Sequence, residues 1–245
     1  AFYAILRVCP LVFGTGGGEL ANLAQAWLWP LALATLAFGA LGALAARSLQ
    51  TLLAYLVLVS AGTLLAAVAI GTPEAIAAAL FYLLHSTWVA GGLFLLADLI
   101  VRQRGRHGGD LVQGAALENP HLLGALFFFG AVAGIGLPPL SGFLGKLVLL
   151  QAAPSAALWA VLLLGGFAAL VAFSRAGSTL FWRVGTSTLD SAELDRGRLT
   201  ACVLLLASSL LLVGLAAPLL DYTRAAGAQL HDLAPYRALI GEGRP

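Results

Sequence analysis

The sequence contains no methionine, only two cysteines, and a single lysine, Lys146, among its thirteen Lys and Arg residues. Acidic residues are scarce where they would count most: none of the eleven Asp and Glu lies deep inside a long apolar run, and Glu19, Glu74, Asp98 and Glu118 stand at run edges. Each scarcity excludes something. Cys9 and Cys202 fall inside apolar runs, so they read as small core residues, and no disulfide or metal framework follows from them. Without carboxylates inside the runs, this chain offers no oxygen cage for a sodium ion. A glycine-rich phosphate loop, a cysteine cluster and a haem-type histidine pair are all missing, so no cofactor and no redox catalysis is expected in this polypeptide. A net charge of +2 gives no reason to expect a nucleic-acid partner. Charged residues make up only 10% of the chain, against about 25% in a soluble domain.

What remains is apolar sequence. A hydrophobic content of 60% and a mean hydropathy of +0.95 predict an all-α fold, a polytopic bundle of transmembrane helices in a lipid bilayer. Runs at 21–46, 52–70, 75–101, 120–137, 140–153, 155–182 and 199–220 read as about seven full spans. They follow a partial one at 1–13, which is short of the ~20 residues a spanning helix needs. That first run lacks a basic region followed by a cleavage site, so it does not read as a signal peptide. It is expected to be the end of a helix that begins upstream, with a short re-entrant segment as the alternative. The glycine-rich 14–19 reads as a turn, and Thr72 before Pro73 as a helix N-cap. Residues 1–220 then form the membrane domain and 221–245 a polar tail, in which 232–240 has the pattern of a surface helix. Trp27, Trp29, Phe181 and Trp182 sit where aromatic belts form. Arg102, Arg104, Arg106 and His107 make the clearest basic loop, which the positive-inside rule places in the cytoplasm. Counting one crossing per run puts Arg47 and the tail on that same side, and the Arg183, Arg196 and Arg198 loop opposite.

Two titratable side chains sit inside this apolar sequence. Lys146 ends the stretch Gly-Leu-Pro-Pro-Leu-Ser-Gly-Phe-Leu-Gly-Lys at 136–146. A charge at mid-bilayer costs about 2.5–3.5 kcal/mol on insertion scales, so such a residue either snorkels to the headgroups or is functional. Lysine is also the one strongly basic side chain whose proton can be removed, whereas arginine stays charged. Pro138 and Pro139 withhold two backbone donors and predict an interrupted, lysine-bearing helix, a device that often marks ion pathways. Gly142 and Gly145 clear side-chain bulk beside the lysine. His85 lies about ten residues into the 75–101 run, with Tyr82 and Ser86 on the same helical face. It reads either as a core histidine bonded to a neighbouring hydroxyl or, with Lys146 at similar depth, as part of a proton relay. Ser60 adds a hydroxyl to the preceding run.

The 136–146 stretch resembles the lysine-bearing broken helix of the antiporter-like proton-pumping subunits shared by respiratory complex I and the multisubunit Mrp cation/proton antiporters. Residues 80–100, with Leu-Phe-Tyr-Leu-Leu-His-Ser-Thr, are similar to the D-type subunits of the Mrp branch. So are 170–182, with Ser-Arg-Ala-Gly-Ser, and 52–55. The resemblance covers most of the chain up to residue 221. It implies the C-terminal half of a subunit of about fourteen helices, in which Tyr3 to Arg7 matches the end of the seventh helix and that helix's lysine lies upstream. In the family, protons pass along a membrane-plane chain of lysine, histidine and glutamate, and the resemblance assigns Lys146 and His85 to it. The family usually has basic residues where Gln50 and Thr51 stand, and related complex I subunits often have histidine in place of Ser60. The relay between the two half-channels is therefore expected to be altered here or bridged by water.

The resemblance implies a proton-translocating subunit of a multisubunit Na+/H+ antiporter, an ion transporter rather than an enzyme. Its expected partners are other membrane subunits, protons and sodium or another monovalent cation, in a bacterial-type inner membrane. A proton-pumping subunit of a complex I-like NADH:quinone oxidoreductase is the first alternative, and a truncated, non-conducting structural fragment the second.

Overall fold

The computed structural model describes residues 2–13, 23–105, 108–114, 117–153, 155–182 and 194–232. Among these the chain is helical throughout: α1 (Phe2–Phe13), α2 (Leu23–Ala45), α3 (Leu49–Ile70), α4 (Pro73–Gln103), α5 (Pro120–Ile135), α6 (Ser141–Ala152), α7 (Ala156–Gly177), α8 (Arg196–Gly214) and α9 (Ala216–His231). A short π-helical turn, Ser178–Trp182, prolongs α7. Five of these segments are long and apolar enough to cross a membrane: α2, α3, α4, α7 with its π turn, and α8. The seven full spans expected from the sequence are reduced because α5 has sixteen residues and α6 twelve. At 1.5 Å per residue they reach only about 24 and 18 Å, short of a ~30 Å hydrocarbon core. The expected turn at 14–19 lies outside the described residues, as do Arg106, His107, Arg183 and all but the first residue of the 232–240 pattern.

Local chemistry sets the boundaries. Ser48 caps α3 by accepting from the Thr51 amide, and Gly71 closes it in the left-handed region at φ 71°. Thr72 then caps α4, accepting from the Ala75 amide, with Pro73 in the first turn and Glu74 beside it. The helix continues through His85 to Gln103 and packs on α3, α5, α6, α8 and α9, which makes it the axis of the bundle. Many large apolar side chains face outward, among them Phe128, Leu164, Phe167 and Leu204, each more than 60% exposed. Such a surface is unstable in water and suits lipid.

Neighbours along α4 give the direction of every later helix. Gly130 of α5 abuts Leu93, Gly142 of α6 abuts His85 and Gly145 abuts Tyr82, while Gln151 shares a cavity with Glu74. Hence α5 and α6 run in series antiparallel to α4, and the turn between them falls level with His85. Along α7 the pairs are Gly124 with Phe181 and Gly177 with Phe127, so α7 returns to the end where α5 began. Asp98 of α4 pairs with Arg198 of α8 and with Arg102, which puts the start of α8 at that end too. Gly227 of α9 instead meets Pro73 and Ala77 at the opposite end.

This arrangement corrects the sequence-based sidedness. Arg198 lies at the same end as the 102–119 connection, not opposite it, and α9 lies at the other end. Counting runs misassigned both because α5 and α6 together cover the length of one long helix. The end that carries Arg198 is tied together by backbone acceptors. Buried Arg104 donates to the carbonyls of Gly108, Asp110 and Val112. The Leu49 amide bonds Gly109 O, the Leu111 amide bonds Arg47 O, and Arg175 of α7 donates to Ala46 O.

Candidate functional site

The site is built at the break between α5 and α6. Gly136 ends α5 at φ 83°, a conformation that side chains rarely adopt, and its amide bonds back to Val132 and Ala133. Leu137 to Leu140, including Pro138 and Pro139, form the linking turn, and α6 starts at Ser141. The last carbonyls of α5 are left open to side chains. Lys146, partly buried, donates from Nζ to the Ile135 carbonyl at 2.6 Å. A bulge at residue 136 would collide with it, since a Cβ there would lie 3.1 Å from both Lys146 Cδ and Nζ.

His85 reaches the same break from α4. It is 2% exposed. Its Nδ1 shares a hydrogen bond of 2.8 Å with Ser141 Oγ, and Nε2 borders Gly142, as does the Ala133 carbonyl oxygen. Gly142 is what allows this approach: a Cβ at 142 would lie 2.6 Å from both Ala133 O and His85 Nε2. Lys146 thus engages the last turn of α5 at the Ile135 carbonyl, while His85 engages the first residue of α6 at Ser141. One further turn of α6 brings Gly145 against the Tyr82 ring, whose centroid is 5.9 Å from that of His85. Tyr82 and Ser60 share a hydrogen bond of 3.1 Å.

Of the residues singled out in the sequence, Lys146, His85, Tyr82, Ser60, Gly142 and Gly145 come together around the turn that contains Pro138 and Pro139. Ser86 shares a cavity of about 30 Å3 with Ser60, Tyr82 and His85, room for a water molecule, but its hydroxyl donates to the Leu83 carbonyl of its own helix. Two buried residues escaped sequence reasoning. Ser141 bonds not only His85 but also Ser209 of α8 at 2.9 Å, so a hydroxyl pair extends the cluster onto a third helix. Ser141 lay within the 136–146 stretch, whereas Ser208 and Ser209 are adjacent in apolar sequence and nothing there tells which one faces inward. The hydroxyl neighbour of His85 comes from α6, fifty-six residues along the chain. Among the described residues no group of three or more His, Cys, Asp and Glu side chains is placed to hold a metal ion.

This arrangement combines a removable lysine proton and an imidazole with the hydroxyls of Tyr82, Ser60, Ser141 and Ser209 and room for water, groups that can exchange protons chemically. Comparison with known proteins gives the family. Residues 1–172 match the family described as NADH:quinone oxidoreductase/Mrp antiporter, TM. A probable K(+)/H(+) antiporter D-type subunit of Rhizobium meliloti is 36% identical over 95% of the chain and 48% of its own length. The D-type subunit of the Na(+)/H(+) antiporter of Alkalihalophilus pseudofirmus is 30% identical over 96% of the chain and 47% of its own. A chain of respiratory complex I from Thermus thermophilus with bound NADH superposes with a TM-score of 0.73 at 31% identity, covering 94% of this chain and 49% of that one. The chain thus spans about half the length of these relatives.

Proposed function

Because this chain belongs to the NADH:quinone oxidoreductase/Mrp antiporter transmembrane family, we propose that it is a proton-translocating subunit of a multisubunit monovalent cation/proton antiporter, with sodium as the exchanged cation. The observation that carries this reading is the convergence of Lys146, on the Ile135 carbonyl, and His85, on Ser141, at the break between α5 and α6. Lys146 alternates between its ammonium and amine forms. His85 exchanges protons with it through the water-sized space and hydroxyls around Tyr82, Ser60 and Ser141. The chain acts as a transporter subunit, without a cofactor of its own, in a bacterial-type inner membrane and in contact with other membrane subunits.

The broken lysine-bearing helix belongs to the same proposal. We read α5 and α6 as two halves of one crossing, a reading supported by their running in series along α4. With the five long helices this makes six crossings, preceded by α1. Residues 1–220 hold the conducting part. The 221–245 tail begins within α9, at the end where α4 starts.

A second reading, a proton-pumping subunit of a complex I-like NADH:quinone oxidoreductase, draws support from the Thermus thermophilus likeness. The subunits that co-purify with the chain separate the two. Proton-coupled sodium transport in vesicles containing the full complex tests the shared core of both. Lys146→Ala and Lys146→Arg are expected to reduce transport to background while the complex assembles, because arginine supplies the charge but cannot release its proton. Normal transport by Lys146→Arg overturns the proton-carrier role. Normal transport by Lys146→Ala leaves only a structural fragment.

A further inference from the structure

Between α5 and α7 lies a cavity of about 750 Å3, within the about 300–1,000 Å3 of small-molecule sites. Phe128 and Trp182, 71% and 80% exposed, stand at its edge, so it opens outward to the bilayer. Its walls include Phe127, Phe173 and Phe181, rings that also pack on one another. The cavity begins beside His121 and Trp182, at the arginine-rich end, and stops at Ile135 and Leu137, level with the helix break. Along α7 it extends from Leu170 to Trp182, about 18 Å at 1.5 Å per residue. That is close to one leaflet and well short of the ~30 Å a crossing helix occupies. A groove of this length fits a lipid tail better than a helix of a neighbouring subunit.

Tails alone select nothing, since lipid tails are as apolar as the groove. Selection needs a headgroup contact, and α7 provides one. Leu170 and Ser174 form a ridge shared with a second cavity of about 510 Å3, which Arg175, Ser178 and Thr179 also line. Arg175 donates to Ala46 O at 2.7 Å and has no carboxylate partner among the described residues. Elsewhere at that end Arg102 and Arg198 share Asp98, and Arg104 is buried on carbonyls. The Thr179 hydroxyl donates to the Arg175 carbonyl, which leaves the guanidinium and the Ser174 and Ser178 hydroxyls over the second cavity. Glu118, three residues before His121, lines neither cavity. The positive-inside rule places this end in the cytoplasmic leaflet, whose surface is negative.

We propose that the two cavities bind one anionic phospholipid, with a tail along the α5–α7 groove and the phosphate at Arg175, Ser174 and Ser178. The tail covers the last turn of α5, whose Ile135 carbonyl holds Lys146, so the lipid braces the break from outside. The site stands on the fold and does not depend on what the chain transports.

The test uses the full complex in vesicles of phosphatidylcholine and phosphatidylglycerol, with a trace of one or the other carrying a photoreactive group on its tail. After irradiation, labelled peptides of this chain are identified by mass spectrometry. In the native chain the peptides holding 120–137 and 170–182 are expected to be labelled. Phosphatidylglycerol is expected to lead phosphatidylcholine about fivefold, the worth of one arginine near an anionic surface. Arg175→Gln keeps a donor for Ala46 O and is expected to bring the two lipids level. Gly124→Leu narrows the groove away from the headgroup contacts, at a position where a Cβ meets Phe181 at an ordinary 3.5 Å. It is expected to lower labelling by both lipids. Equal labelling by the two lipids in the native chain overturns the proposal, and so does labelling that Gly124→Leu leaves unchanged. A native chain without label at these peptides has its groove filled by a neighbouring subunit, which overturns it too. Should Arg175→Gln fail to assemble, the native comparison and Gly124→Leu decide the matter without it.

Discussion

Gly142 carries as much of the site as the side chains it lies between. A methyl group at 142 would press on a backbone oxygen and a ring nitrogen, neither of which is the loose end of a flexible chain. Gly142→Ala is therefore expected to destabilise the protein by about 1–3 kcal/mol, as over-packing does. It is also expected to displace the His85 ring, so that transport falls further than thermal stability. Parallel melting and vesicle-transport measurements check this, and a variant that melts and transports like the native chain would remove the close approach from the account. At this scale the sequence was informative for rare residue types. Lys146 and His85 stand out because a titratable group in apolar sequence is costly and so needs a reason. Ser141 and Ser209 do not stand out, because a hydroxyl is tolerated on either face of an apolar helix and only tertiary packing turns it inward.

The helices show the same division. The start of α4 was readable, since Thr72, Pro73 and Glu74 are start signals that act within one turn. So was a helix boundary near Pro138 and Pro139, which lie between the end of α5 at Ile135 and the start of α6 at Ser141. The relation of α5 to α6 was not readable, because hydropathy measures how long a run is and says nothing of the direction in which it travels. Helix α8 offers a test that involves no transport. Asp195 caps it through bonds from the Gly197 and Arg198 amides. The Arg198 amide leads, with Gly197 and the Arg198 guanidinium adding to it, in holding the carboxyl below its ordinary value. A carboxylate with a lowered folded pKa adds stability above its unfolded pKa and loses it as the pH falls through the folded one. Asp195→Asn is accordingly expected to melt at a lower temperature than the native chain at neutral pH, and the gap is expected to close in acid. A gap that persists below the folded pKa would mean that the carboxylate charge is not what matters.

For the molecule as a whole, the order of helices along α4 gathers Arg47, Arg102, Arg104, Arg175, Arg196 and Arg198 at one end. This arginine-rich end, with Arg224 at the other beside Pro73 and Glu74, agrees better with the positive-inside rule than the divided arrangement that counting runs implied. Single cysteines placed at Asp110, Arg198 and Ala228, in a background with Cys9 and Cys202 replaced, check this directly. A membrane-impermeant maleimide is expected to label positions 110 and 198 from one side and 228 from the other. Labelling of 110 and 198 from opposite sides would mean that α5 and α6 each cross the bilayer. The break between them also has an electrical side. Each end of a helix carries about half an elementary charge, negative where carbonyls are open, and the Lys146 ammonium rests against that negative end of α5. A chain without a carboxylate inside its apolar runs thus still supplies its lysine with a counter-charge. That counter-charge is made of peptide groups, so it does not titrate and no side-chain replacement can neutralise it.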